Sequence, residues 1–270
     1  MPNYSIIVDC PDCYLDILKV FFFFLEKNWP ARNQKIYVVT QNQTIDSPDN
    51  VEFIKCGDNL NSIQRTKKAI EKISDEYVLI IDCDDFIGKR VDDSLIDNLL
   101  TFASSNEIDY IRVWNFSNHE QKKYKTKFNH LYFCNKKARY AKSLMANFWK
   151  KEEYLKVFNS NTEDGWTVEG NWLKETYLEK KGFYKNYCFY SKNPFHIVHA
   201  VKKGKWIRKA YRFARKNGTD KDLLSQRDRI SFFDNLSFEI KMFLLRRTPS
   251  RFVFFIKRLT KRKVKYVSDY

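Results

Sequence analysis

Short apolar runs alternate with longer amphipathic stretches through the first part of the chain. Residues 4–8, 36–40, 51–55 and 77–81 have the length and apolar content of strands. Between them, 14–27 carries Leu15, Leu18, Phe22 and Leu25 on one helical face, and 61–73 does the same with Ile63, Ala69, Ile70 and Ile73. Strand, helix and strand in that order predict right-handed crossovers into a parallel sheet. The run Tyr-Val-Leu-Ile-Ile at 77–81 has no polar alternation, so it reads as a central strand buried on both faces.

That strand ends in acid. Asp82, Asp84 and Asp85 follow at once, and in open α/β sheets ligands bind at the carboxyl ends of the strands. Carboxylates spaced this way can converge on one hard divalent cation that neutralises a diphosphate. They can equally form a turn and cap the helix expected at 91–102. The half-domain is Rossmann-like, yet no G-x-G-x-x-G turn is present, which counts against a dinucleotide cofactor.

Further along, 109–114 reads as a strand and 118–139 as basic, aromatic loops and edge strands lining a cleft. Residues 142–157 hold a strand and a short helix around Trp149, and 162–179 is an acidic loop entering a helix whose first turn holds Glu169. A carboxylate there is favoured by the helix dipole and, facing a cleft, accepts a proton from a substrate hydroxyl. Glu163, Asp164 and Glu169 acting only as helix caps is the structural alternative.

Composition narrows the class. With 270 residues and 43% hydrophobic content there is material for one substantial core and a smaller appendage, and the formal charge of +16 calls for an acidic partner: nucleic acid, an anionic membrane or phosphorylated substrates. Cys10 and Cys13 form a C-x-x-C without a second close pair to complete a tetrahedral zinc site. No secretory signal is evident at the start, which points to the cytosol and reduced thiols. The apolar stretch 21–25 is too short to span a membrane.

Taken together, several segments resemble the bacterial GT-A glycosyltransferases, related to the large family-2 group, of polysaccharide, capsule and lipopolysaccharide clusters. The segments are Ile-Ile-Val-Asp-Cys-Pro-Asp-Cys-Tyr at 6–14, Phe-Phe-Phe-Phe-Leu-Glu-Lys-Asn-Trp-Pro at 21–30, Ile-Tyr-Val-Val-Thr at 36–40, Cys-Gly-Asp-Asn-Leu-Asn-Ser at 56–62, the acidic strand 77–91, residues 143–149 and 166–169, and His-Ala-Val-Lys-Lys-Gly-Lys-Trp at 199–206. The resemblance covers residues 4–206. It implies a GT-A, nucleotide-diphospho-sugar transferase core over 1–206 and inverting sugar transfer. It places Asp12, Asp58 and Ser62 near the nucleotide, and Asp82, Asp84 and Asp85 near the diphosphate with Mn2+ or Mg2+. Glu169 would be the general base, with Asp164 as competitor, and His199, or else His196, would ligate the metal. Lys202, Lys203 and Lys205 would hold the leaving diphosphate. Relatives often carry another acidic pair where this chain has Asp84 and Asp85, so Asp82 and the need for the cation stay open.

The stretch 207–270 reads as a basic helical extension. Residues 236–247 and 252–262 are two helix candidates separated by Thr248 and Pro249, and the second carries Phe252, Phe255, Ile256 and Leu259 on one face among Arg251, Lys257, Arg258, Lys261 and Arg262. Such helices lie on an anionic membrane, so 236–265 is expected to hold the protein peripherally on the inner face of the bacterial cell membrane, beside a lipid-linked acceptor. The alternative is packing on the catalytic domain. The rival functions are a nucleic-acid-binding basic protein, which the charge and aromatics fit, and a catalytically inactive sugar-binding relative. An acidic cleft would repel nucleic-acid phosphates, so no nucleic acid is expected.

Overall fold

The computed structural model of the protein describes residues 2–114, 124–160 and 162–248. The first half follows the expected alternation: β1 (Tyr4–Asp9), α1 (Leu15–Asn28), β2 (Ile36–Thr40), β3 (Val51–Lys55), α2 (Ser62–Ile70), β4 (Tyr77–Asp82), the two-residue β5 (Asp85–Phe86) and α3 (Asp93–Ser105). Then come β6 (Tyr110–Arg112), β7 (Tyr124–Lys125), β8 (Leu131–Asn135), β9 (Asn147–Lys150), α4 (Lys151–Val157), α5 (Gly165–Leu178) and β10 (Phe183–Tyr190). The short β11 (Val198–His199), β12 (Val201–Lys202) and β13 (Lys205–Trp206) lead into α6 (Arg208–Lys216), α7 (Lys221–Ser225) and α8 (Phe232–Arg247).

Nine strands form one sheet in the order β3-β2-β1-β4-β9-β6-β10-β8-β7. β1, β2, β3 and β4 are mutually parallel, and β9 runs antiparallel between β4 and β6. Side chains alternate between two cores. Ile6 and Val8 of β1 and Leu79 and Ile81 of β4 join α1, α3 and α6 on one face. Ile7, Val78 and Ile80 join α2, α4 and α5 on the other. Placing α1 and α2 on opposite faces is what right-handed crossovers require, because the chain moves outward from β1 to β3 and then back across the sheet to β4.

Several expectations are corrected. The strand β10 was absent from the sequence reading, yet it pairs with β6 and β8 and extends the sheet. Asp92 caps α3, with its carboxylate accepting from the Leu95 N–H at 3.1 Å, so this helix starts later than residue 91. Asp164 caps α5, which puts Glu169 in the second turn rather than the first. The expected boundary at 206/207 falls within a packed unit: Ile207, Ala210, Ala214 and Leu224 belong to the first core, and Phe213 stacks on Phe24 with ring centroids 5.0 Å apart. The expected helix 236–247 is observed from Phe232, capped by Ser231. The helix expected at 252–262, and residues 118–123 of the cleft segment, lie outside the described residues.

One close approach fixes the sheet edge. The Gly88 N–H donates to the Phe195 carbonyl at 3.2 Å, and a Cβ on Gly88 would overlap the His196 carbonyl oxygen. This contact lets β11 lie beside β5. Gly88→Ala is therefore expected to cost roughly 1–3 kcal/mol through forced backbone displacement, read as a lower midpoint in thermal unfolding; an unchanged midpoint would show the two segments are free to separate.

Candidate functional site

The strand order reverses between β1 and β4, since β2 and β3 lie to one side of β1 and everything from β4 onward to the other. This switch point is where an open α/β sheet presents a crevice. At its mouth Asp9 and Asp82, the last residues of the two strands, are register partners. Asp9 is buried and held in a two-pronged ion pair by Arg65 of α2, Nε to Oδ1 and Nη2 to Oδ2, each 2.9 Å. Burial pushes the Asp9 carboxyl up to about 6 even with Arg65 opposing it.

Beyond β4 the chain turns through Cys83 and Asp84 into β5, which pairs antiparallel with β11 so that Asp85 lies opposite His199. The His199 Nδ1 is 2.9 Å from Asp85 Oδ1 and 3.7 Å from Asp84 Oδ2. Trp114, two residues past β6, stacks on the imidazole at 6.2 Å and 28°. The Ala200 N–H donates to the Asp84 carbonyl at 2.7 Å, locking the returning chain to the acidic turn.

Charge in this corner is unbalanced. Burial pushes Asp84 up to about 6 against the pull of His199. Burial, then Asp85 and Asp84, hold Asp82 well above the carboxylate range. Burial opposes charge on His199, but Asp84, then Asp85 through its hydrogen bond and charge, outweigh it and push the imidazole up to about 10. A protonated imidazole is thus the cation that lets the carboxylates sit together. The second oxygen of Asp85, Oδ2, is buried and takes no hydrogen bond among the described residues. An orphaned buried carboxylate oxygen is costly, and Asp84, Asp85 and His199 offer ligand atoms all within 4.8 Å of one another. The donor set of carboxylate oxygens and an imidazole suits Mn2+ or Mg2+. Asp82 is coupled to this group electrostatically but is not a member of it. His196 is exposed, in a positive-φ turn, and also outside it.

The other expected residues divide. Asp12 accepts from the backbone N–H groups of Gln41, Asn42 and Gln43 at 2.9–3.2 Å, and Asp58 accepts from the Asn42 side chain at 2.7 Å. Both therefore shape the loops at the carboxyl ends of β1, β2 and β3. Ser62 opens α2 behind its Asn61 cap. Lys203 and Gly204, both at positive φ, make the tight turn between β12 and β13, and Lys205 is exposed. Lys202 is turned away onto α8, its Nζ 3.8 Å from the Phe238 ring centroid.

Glu169 reaches the same edge of the sheet from α5. Its Oε1 accepts from Ser143 Oγ at 2.7 Å and from the Leu144 N–H at 2.6 Å, in the loop that enters β9 beside the end of β4. Burial raises its pKa, opposed by those two donors. Asp164 is exposed and caps α5, accepting from Thr167 N at 2.9 Å and Thr167 Oγ1 at 3.1 Å. Asp9, Arg65 and Trp114 were not singled out in the sequence. Asp9 ends its strand as Asp82 ends its own, which was a readable signal; Arg65 and Trp114 carried none.

No protein-family model and no curated protein matches the chain. Among solved structures it is similar to S. aureus TarS 1-349 in complex with UDP, at 14% identity and TM-score 0.48 over 78% of this chain and 64% of that one. It is similar also to the mannosyltransferase PcManGT from Pyrobaculum calidifontis in complex with GDP-Man and Mn2+, at 12% identity and TM-score 0.45, over 83% and 67%. A cytidylyltransferase from Leptospira borgpetersenii is similar at 12% identity and TM-score 0.45, over 92% and 98%. The chain spans less than two thirds of the TarS structure's length. Likeness at this distance settles no chemistry, so the geometry of the site has to carry it.

Cation binding has a measurable sign. Asp84, held up at about 6, gives the ion-free protein stability that is complete below the ordinary carboxylate range and is lost as pH rises through about 6. Mn2+ replaces the proton, so its stabilisation should grow with pH: roughly 5–10 °C in unfolding midpoint at about pH 7.5 and a hundredfold excess over Kd, and much less at about pH 5. Asp85→Asn should abolish the shift. An equal shift in that variant would place the ion elsewhere.

Proposed function

We propose that the protein is an inverting glycosyltransferase that moves a sugar from a nucleoside-diphosphate sugar to a hydroxyl of a lipid-linked glycan in bacterial surface polysaccharide synthesis. The observation that carries this reading is the Asp84, Asp85 and His199 group at the switch point, with the unpartnered Asp85 oxygen facing inward. A divalent cation bound there supplies the positive charge that a departing diphosphate needs. The loops shaped by Asp12 and Asp58 and the start of α2 at Ser62 border the crevice on the side of β1 to β3, where the nucleoside would lie. Lys203 and Lys205 on the hairpin next to His199 add positive charge for the phosphates, and Lys202 joins them on leaving Phe238.

Glu169 is the general base in this reading. Oε1 is fixed by Ser143 and Leu144 while Oε2 takes no hydrogen bond among the described residues, and a pKa raised by burial suits a base working near neutrality. Held by two donors, it has its open oxygen aligned before the acceptor arrives, so inversion needs only in-line attack with the diphosphate leaving opposite.

Two comparisons test the assignment. Of UDP-, GDP-, CMP- and dTDP-sugars, one nucleotide class should raise the unfolding midpoint, with a Mn2+-dependent part lost in Asp84→Asn; no shift with any of them, together with a salt-dependent shift of oligonucleotides, would favour nucleic-acid binding. Glu169→Gln should lower kcat roughly 100-fold or more, and wild-type kcat should rise with pH through a value above the ordinary glutamate range, because the base must lose its proton. Asp164→Asn, which keeps a good helix cap, should leave both stability and rate nearly intact. If the rate falls there instead, the base is Asp164.

Membrane association rests on α8. Phe232, Phe233, Leu236, Ile240, Phe243 and Leu244 are each 45–80% exposed, while Phe238 packs inward against the first core. No described helix is long and apolar enough to cross a membrane. A surface helix with a basic continuation fits peripheral attachment to the inner face of the cell membrane. Phosphatidylglycerol vesicles should sediment with the protein, phosphatidylcholine vesicles should not, and Phe232→Ser with Phe233→Ser should weaken the binding; equal binding to both lipids would remove the electrostatic part of the argument.

A further inference from the structure

Of the six tryptophans, Trp29, Trp149 and Trp206 are buried and Trp114 and Trp172 half-buried, whereas Trp166 is 60% exposed. Its position on α5 makes this unusual. Val168, Gly170, Leu173 and Thr176 of the helix are buried, and Trp166 stands four residues before Gly170 and seven before Leu173, on the same stripe. Every later residue of that stripe is covered by the protein. Trp166 is not, because the first turn of α5 extends past the sheet edge.

What lies around that first turn is known. The Asn61 side chain donates to the Thr162 and Glu163 carbonyls at 3.2 and 3.0 Å, and the Gly165 Cα lies against Leu144 and Ser62. The turn thus rests on the start of α2 and on the loop before β9, both at the crevice end of the strands. Trp166 sits two residues after Asp164 and three before Glu169, the two carboxylates that compete for the role of base. Large aromatic side chains are seldom left this open, and no ring contact involves Trp166 among the described residues. It is a flat apolar face beside hydrogen-bond acceptors at the mouth of the site.

Resting on the transferase reading above, we propose that Trp166 is the platform for the acceptor sugar, its indole face taking the C–H face of a pyranose ring whose hydroxyls reach the adjacent carboxylates. The electron-rich face of an aromatic ring favours the weakly positive C–H groups that one side of a pyranose presents. Nucleobases also stack on aromatic rings, but the loops ordered by Asp12 and Asp58 lie at the ends of β1 to β3, so the nucleoside has its own place. Stacking orients the ring without covalent work, and one acceptor hydroxyl is then held next to the base. Trp166 is accordingly a binding and positioning residue rather than a catalytic one.

The test uses the full chain and defined probes: the methyl α- and β-D-glucopyranosides and galactopyranosides and methyl N-acetyl-β-D-glucosaminide, followed by saturation-transfer NMR, with nucleotide binding measured by thermal shift on the same preparations. At least one glycoside should show saturation of its ring C–H protons by the wild type. Its affinity should fall roughly tenfold or more in Trp166→Ala and stay within about threefold in Trp166→Phe, which keeps a stacking face. Nucleotide shifts should be the same in all three proteins. Glycoside binding that is absent from the wild type, or equal in Trp166→Ala, overturns the proposal while nucleotide binding leaves the transferase reading standing. Loss of nucleotide binding in Trp166→Ala assigns the indole to the nucleoside and overturns it as well. Failure of every nucleotide with every variant would instead remove the transferase reading itself.

Discussion

Like charge held at the end of one strand is the constraint on which the rest of the structure depends. β4 delivers three aspartates to the switch point within four residues, and burial alone would drive protons onto them. The fold answers by bringing a cation from far along the chain: β11 returns beside β5, and His199 arrives opposite Asp85. The Gly88 approach, the Ala200 bond to Asp84 and the Trp114 stack all serve that return. Without them the acidic turn would have neither a partner nor a shape, and a divalent ion would meet loose carboxylates instead of a preformed group.

The same constraint explains why residues after 206 belong to the core. Arg227 pairs with Asp16 through Nε and Nη2 at 3.0 and 2.7 Å, donates to the Cys13 and Gly204 carbonyls and stacks on Tyr14. It ties the loop after β1 to the hairpin that follows His199. The basic α6 sits on α1 through Phe213 and Phe24. A polypeptide ending at Trp206 would therefore leave the hairpin without its anchor and expose the outer surface of α1. Asp9 and Arg65 perform the matching task on the other core, where their buried ion pair fastens α2 to the end of β1.

How much of this could be read from the sequence follows from the range of the forces involved. β1, β2 and β4 were legible because strands buried on both faces are apolar without interruption, and α1 and α2 because their apolar positions recur with helical period. β10 was missed because its first half alternates exposed and half-buried residues, with Lys185 and Asn186 among aromatics, and only its last four residues are buried. The misplaced start of α5 came from reading the acidic loop as a run-in to the helix, when Asp164 itself is the cap. The acidic half of the site was visible as a local cluster. Its geometry was not, because the pairing of Asp85 with His199 joins residues 114 positions apart, and Asp82, adjacent in sequence, stands outside the ligand group. Only the family resemblance had suggested His199, and it carried no information about which aspartates it would face.

A net charge of +16 around an acidic centre looks contradictory until the charges are located. The carboxylates of the centre are buried and partly neutralised by His199, so they project little field into solvent, whereas the lysines of the hairpin and the basic residues of α6 stand at or near the surface. An approaching diphosphate therefore meets positive potential first and steers inward by it. At close range it meets carboxylates, which repel it unless a cation intervenes. Attraction at long range and cation-dependent acceptance at short range select a ligand that brings or shares a divalent ion, as diphosphates do, and discriminate against polyanions too broad to reach the buried group. The acidic centre and the basic surface are thus two stages of one selection.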